Sequence, residues 1–243
     1  MTDGLFLSRL ALRRDASTAA LSRLLDPTDE ARAADANHRL IWSLFADDPD
    51  RERDFLWRRE EKGRFLVLSR REPDDAHRLF SVETKPFRPC LAAGDRLSFM
   101  LRVNATRDRP TAKLEKDAKT GALRNRRVDL VMDRLYNVRP QRKGDPGERA
   151  LRRDEIAREV GREWLTRQGE KRGFGLDGLS QVGYQVLRLP HRPAGKGREL
   201  TFGVLDLAGA LTVTEPDRFL DAVASGFGRA RAFGMGLMLI RRT

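Results

Sequence analysis

The sequence contains three histidines, His38, His77 and His191, and none sits at the i, i+2 or i, i+4 spacing of a paired metal ligand. Imidazole is the side chain whose unperturbed pKa suits proton transfer near neutral pH, so a histidine outside a ligand pattern is a candidate general acid or base. His38 is that candidate, one helical turn before Ile41 and Trp42 at the edge of an apolar stripe. The competing reading is a boundary residue with no chemistry. Cys90, the single cysteine, excludes an internal disulfide framework and a Cys-based zinc site. No Gly-x-x-x-x-Gly-Lys-Ser/Thr phosphate loop and no Gly-x-Ser-x-Gly nucleophile elbow occurs. Neither a metal nor an organic cofactor is expected.

The second chemically suggestive stretch is Gly226-Phe-Gly-Arg-Ala-Arg-Ala-Phe-Gly-Met-Gly236. Gly226, Gly228, Gly234 and Gly236 permit positive φ angles and close backbone approach. Arg229 and Arg231 add charge-assisted donors suited to phosphate. The loop follows a helix and precedes a strand, the wrong order for a dinucleotide-binding unit. The alternative is a tight turn packed beneath the last strand.

The elements that must position these residues are legible from periodicity. Leu5–Leu12 reads as a strand, and Asp29–Phe45 as a helix with Leu40, Ile41, Leu44 and Phe45 on one face. Asp54–Arg59 and Arg64–Arg70 read as strands joined by a turn at Glu61-Lys62-Gly63, and Pro73–Leu79 as a short helix. Asp95–Val103 alternates cleanly, completing a β-α-β-β-α-β order. The second half repeats that order. Arg127–Met132, Gln181–Leu189, Glu199–Leu205, Ala210–Thr214 and Leu237–Ile240 are its strands, with a turn at Ala208-Gly209. Arg153–Gln168 is a helix with Ile156, Val160 and Trp164 on one face. Thr214 would cap a further helix that carries Pro216 in its first turn. The expected fold is α+β, two tandem ferredoxin-like domains at 1–106 and 127–243, joined by a basic loop at 107–126. A second basic loop is expected at Arg139–Gly147.

Net charge is +12 at a pI near 10.7, and it is unevenly spread. Between Arg102 and Arg153 stand 16 Lys or Arg against 7 Asp or Glu. Such a concentration suits a phosphate backbone, where each neutralised phosphate releases counterions. RNA also carries its own nucleophile, the 2′-hydroxyl, so a protein without metal ligands can cleave it by alignment, proton transfer and charge stabilisation. The candidate RNA-binding residues are Arg102, Arg107, Arg109, Arg124, Arg126, Arg127, Arg229 and Arg231. A membrane partner is not expected, because no run of about 18 apolar residues exists and the basic stretch lacks an aromatic apolar face. The first residues lack the pattern of a secretory signal, so a cytoplasmic location is expected.

Several segments, in order, resemble the CasE family of CRISPR RNA-processing endoribonucleases from type I-E systems. They are Leu5-Phe-Leu-Ser-Arg-Leu10, Asn37-His-Arg-Leu-Ile-Trp-Ser-Leu-Phe45 with Trp42 four residues after His38, and Arg53-Asp-Phe-Leu-Trp57. Lys85-Pro-Phe87, Leu101-Arg-Val-Asn-Ala105 and the terminal glycine-rich loop complete them. The resemblance implies metal-independent cutting at the base of a CRISPR repeat hairpin, giving a 2′,3′-cyclic phosphate and a 5′-hydroxyl. It further implies retention on the mature crRNA with other Cascade subunits. By position His38 falls on the family's catalytic histidine, and Arg231 on a loop lysine that contacts RNA. Family members often carry tyrosine three residues before the histidine, where this chain has Asp35, a weak supporting group at most. A silent hairpin-binding subunit and a general basic RNA scaffold are the rival expectations.

Overall fold

The computed structural model describes residues 4–13, 15, 27, 30–46, 52–110, 125–137, 146–189 and 200–243. In chain order the elements are β1 (Phe6–Leu12), α1 (Glu30–Ser43), β2 (Phe55–Glu61), β3 (Arg64–Ser69), β4 (Phe80–Pro86), β5 (Arg96–Val103), β6 (Thr106–Pro110) and β7 (Asn125–Asp129). They continue with α2 (Leu130–Asn137), α3 (Pro146–Arg172), β8 (Phe174–Leu189), β9 (Leu200–Val213), α4 (Pro216–Ser225) and β10 (Met238–Arg242). Two four-stranded antiparallel sheets result, ordered β2-β3-β1-β4 and β10-β5-β9-β8, with β6 and β7 forming a separate ribbon. This mixed α+β arrangement is consistent with a ferredoxin-like or RAMP pattern.

The first sheet is buried on both faces. Phe55, Trp57, Phe65 and Val67 face α1, meeting its Leu40 and Ile41 and, in the turn that follows it, Leu44 and Phe45. Leu56, Leu66 and Leu68 point the other way, into a larger core built on the second sheet, α3 and α4. That double burial explains why β3 reads Phe65-Leu-Val-Leu-Ser69 without a polar alternation.

Several expectations need correction. The stretch 73–79 is not a helix. The Asp75 carboxylate accepts from the amides of Leu79 and Phe80 at 2.9 and 2.7 Å, closing a turn that competes with helix formation. β5 does not close the first sheet. That place belongs to β4, while β5 pairs with β9 and β10, in register Leu97 to Leu211 and Leu101 to Met238. Ala208 and Gly209 do not turn but lie inside the continuous β9. A Cβ at 209 would stand 2.0 Å from the Gly178 carbonyl oxygen, beside the two bulges of β8, so this glycine serves close strand approach. The strand expected at Arg127–Met132 ends at Asp129, whose carboxylate accepts from the Met132 amide at 2.8 Å and starts α2. Glu215, not Thr214, occupies the N-cap of α4, and its side chain makes no cap bond; Pro216 opens the helix as expected. The basic loop expected at 107–126 is anchored by the β6–β7 ladder, its residues 111–124 lying outside the described set, as do 139–145 of the second loop expected at 139–147, whose Pro146 and Gly147 instead open α3.

Candidate functional site

The apolar face of α1 fixes the helix on the first sheet, and that docking leaves His38 half-buried at its edge. The imidazole lies 6.1 Å, centroid to centroid, from Trp42 one turn on and 5.8 Å from Phe233. Phe233 belongs to a single 3₁₀ turn, Arg231–Phe233, at the centre of the glycine-rich loop. The two stretches singled out from the sequence therefore meet at His38.

The loop is held rigidly. Gly226, Gly228, Gly234 and Gly236 all have positive φ, as expected. Their lack of a side chain is used against the protein itself: a Cβ would meet Leu56 at 2.8 Å, Val103 at 2.5 Å, Trp57 at 2.9 Å and the Phe227 carbonyl at 2.7 Å, respectively. The Trp57 indole donates to the Ala232 carbonyl at 3.2 Å, and the Gly236 amide donates to the Arg102 carbonyl at 2.8 Å. The glycine-rich stretch is thus a tightly packed turn, and it carries Arg229 and Arg231.

Four of the eight arginines expected to bind phosphate have described side chains, and all four are engaged within the chain. Arg229 makes a two-pronged ion pair with Asp108 at 2.9 and 2.6 Å, tying the loop to β6. Arg107 pairs with Asp133, and Arg102 lies 3.8 Å from Asp206. Arg231 turns inward, donating to the carbonyls of Ser225 at 2.6 Å and Gly228 at 3.3 Å. Arg109, Arg126 and Arg127 lie on the β6–β7 ribbon by their backbones; Arg124 and His191 fall outside the described residues. Asp35 forms an i, i+4 ion pair with Arg39. His77 sits in the exposed turn before β4, away from this region.

The sequence reading missed Arg53 and Arg172. Burial, and then the neighbouring Arg231 charge, pushes both guanidinium groups below the ordinary arginine value. All remain cations at neutral pH. Arg172 also donates to the Gly226 carbonyl at 3.0 Å and stacks 4.8 Å above the Phe227 ring. Arg58 is likewise held down by burial first, with Asp206 opposing and Arg102 adding to the effect. Isolated arginines in an arginine-rich chain carry no sequence signal, and only folding brings these from the start of β2, the end of α3 and the loop. Among the described residues no group of three or more His, Cys, Asp or Glu is placed to hold a metal, and no helix is long and apolar enough to cross a membrane.

A family model described as CRISPR associated protein matches residues 5–242. The CRISPR system Cascade subunit CasE of Escherichia coli K12 is 24% identical over 206 residues, spanning 83% of this chain and 88% of that one. The CRISPR-associated endoribonuclease Cse3 of Thermus thermophilus is 27% identical over 245 residues, spanning 96% and 94%. A solved structure of CRISPR endoribonuclease Cse3 bound to a 19 nt RNA superposes with a TM-score of 0.60 at 26% identity, covering 98% of each chain. The chain belongs to the CRISPR-associated protein family, in its CasE/Cse3 group of RNA-processing endoribonucleases.

Proposed function

We propose that this chain cleaves CRISPR repeat RNA once, at the base of its hairpin, without a metal ion. The observation that carries the reading is the meeting of His38 with the arginine-bearing glycine-rich loop, 5.8 Å from Phe233, in a chain of this family. The 2′-hydroxyl oxygen attacks the adjacent phosphorus in line with the departing 5′-oxygen. Its proton passes to solvent, the P–O5′ bond breaks, and His38 as imidazolium gives its proton to the leaving oxygen. The products are a 2′,3′-cyclic phosphate and a 5′-hydroxyl. Proton transfer by a positioned group is worth about 10²–10⁴-fold, and cationic stabilisation of the phosphorane supplies a further factor. Asp35, occupied with Arg39, has a minor supporting part.

The two sheets are read as tandem ferredoxin-like units. Each has its strands in the order fourth, first, third, second if β1–β4 form one unit and β5, β8, β9 and β10 the other. The division then falls between Pro86 and Arg96 rather than at 106. The basic residues of β6, β7 and the loop would hold the A-form hairpin by its phosphates and shape. The Escherichia coli relative is a Cascade subunit, so retention on the mature crRNA alongside other Cascade subunits, in the cytoplasm, belongs to the same proposal. A silent hairpin-binding subunit is the second reading, favoured by Asp35 standing where the resemblance expects tyrosine.

The test is cleavage of an end-labelled repeat hairpin in EDTA, with wild type beside His38→Ala. One cut with a cyclic phosphate end, lost in the variant while binding persists, is the expected result. Tight binding without a cut by wild type selects the silent subunit, and full activity of His38→Ala overturns the assignment of His38.

A further inference from the structure

Phe233, 5.8 Å from His38, also borders a cleft. It has a volume of about 70 Å³ and is bordered by Asn37 of α1, Trp57 and Arg59 of β2, Arg102 of β5, Leu187 of β8 and Phe233 of the loop. Asn37 is the unusual member. It is 2% exposed, and its Oδ1 is buried with no hydrogen-bond partner. A buried acceptor left unpaired is costly, and in a residue that lines an open cleft it calls for a donor from outside the chain. Phe233, which borders the cleft, lies 5.8 Å from the imidazole assigned to proton transfer, so a ligand of the cleft would sit near the reacting phosphate.

The other walls narrow the occupant. Phe233 and Trp57 offer aromatic surface, Leu187 an apolar side, and Arg59 and Arg102 two cations. Arg102 has Asp206 only at 3.8 Å, a loose pairing that a phosphate can share. An acceptor at depth, aromatic and apolar walls and cations at the sides match one nucleotide: base edge, base face and phosphate in turn. The volume accommodates roughly five to seven water-sized positions, room for the edge of a single base but not for a base pair.

We propose that this cleft receives one unpaired nucleotide flanking the scissile phosphate, and that Asn37 reads its base through Oδ1 by accepting from an amino or imino N–H. Asn37 is thereby a specificity-determining residue. The inference rests on the RNA-cleaving reading of His38, and its test separates the two.

The experiment uses the full chain and repeat hairpins carrying a 2′-deoxy sugar at the cut, so that binding is measured without cleavage. Each unpaired nucleotide around the cut is replaced in turn by an abasic unit, and the affinities of wild type, Asn37→Leu and Asn37→Ser are compared. For wild type, one abasic position is expected to weaken binding about tenfold or more. Both variants should bind intact RNA more weakly and be indifferent to loss of that same base. A des-amino or des-imino analogue at that position should reproduce part of the loss in wild type only. Thermal unfolding identifies a variant that fails to fold, and the other then serves. Identical abasic profiles for wild type and a folded variant overturn the proposal. A wild type that binds with the expected profile but never cuts all-ribose RNA overturns the cleavage reading and leaves the nucleotide cleft standing. Absence of binding to every repeat RNA overturns both.

Discussion

Replacing Gly234 by alanine tests whether the glycine-rich loop is a packed platform for His38. Gly234 has φ +75, in the left-handed region, and its added Cβ would lie 2.9, 3.0 and 3.2 Å from three ring atoms of Trp57. The ring cannot retreat. Trp57 is 2% exposed, packs edge-on against Phe65 at 5.9 Å, and is pinned by its bond to Ala232. Gly94 supplies the control, since its φ is +93 and a Cβ there meets nothing within 4 Å. The backbone penalty common to both is about 1–2 kcal/mol. The clash at 234 adds about 1–3 kcal/mol of overpacking. Gly94→Ala should therefore cost about 1–2 kcal/mol and Gly234→Ala about 2–5 kcal/mol. At roughly 2–4 °C per kcal/mol for a chain of this size, the two should separate clearly in a thermal melt. If the loop yields rather than the core, Phe233 shifts away from His38 and the cleavage rate falls further than the melt predicts. A Gly234→Ala protein that melts with Gly94→Ala and cuts RNA at the wild-type rate would refute the reasoning.

Burial holds the Asp129 carboxyl above its usual value, against the opposing hydrogen bonds from Met132 and Tyr184. The native state therefore keeps this proton to higher pH than the unfolded chain does. The stability it confers is complete below the unfolded pKa of about 4 and is lost as pH rises through the raised native value. Urea unfolding across pH should show wild type losing ground to Asp129→Asn over that interval; a pH-independent difference would contradict the burial argument. Asp108→Asn should release Arg229 for phosphate, strengthening RNA binding at low salt and steepening the slope of log affinity against log salt by about one. An unchanged slope would place Arg229 off the RNA path. Leu165→Ala, at a fully buried position of α3, should cost about 2–5 kcal/mol in equilibrium unfolding, and a loss below about 1 kcal/mol would argue against tight packing of α3 on the second sheet.

Local pattern revealed elements more readily than partners. The helix carrying His38 and the β2–β3 hairpin were legible because apolar period and turn chemistry are both local. β4 was not. Its inward residues are Phe80, Val82 and Thr84, it ends on Pro86, and as an edge strand it needs no continuous apolar run. The alternation over Asp95–Val103 puts Leu97, Phe99, Leu101 and Val103 on one side of β5, and all four are buried. It could not name the sheet, because the partners of β5 lie more than 100 residues away, at Leu205–Thr212 and Met238–Arg242. Gly209 shows the same limit. A glycine between two apolar runs reads as a turn, whereas here it admits the Gly178 carbonyl. In the candidate site, His38 and the four loop glycines stand out by residue type. The inward turn of Arg231 and the convergence of Arg53 and Arg172 depend on tertiary placement and leave no trace in composition.

Those placements change how the positive charge should be counted. Arg229, Arg107 and Arg102 are each matched by an acid, Asp108, Asp133 and Asp206. For an RNA phosphate to reach any of them, a carboxylate must be displaced, and exchanging one anion for another yields little net Coulomb energy at an exposed site. Arg53, Arg172 and Arg231 are different. Among the described residues none of the three is paired with a carboxylate, and Arg231 depresses the pKa of the other two after burial has done so. A phosphate brought to this side of the loop would relieve a repulsion already present instead of replacing an attraction. The paired arginines are thus better suited to fixing register, since each releases its acid only where a phosphate stands in the right place. On the proposed function these three would be the better source of affinity, and one of them, Arg231, shares the 3₁₀ turn with Phe233, 5.8 Å from His38. Binding strength and the position of the cut would then be set by one rigid segment, which is a physical reason for holding that segment so tightly between Trp57, Leu56 and Val103.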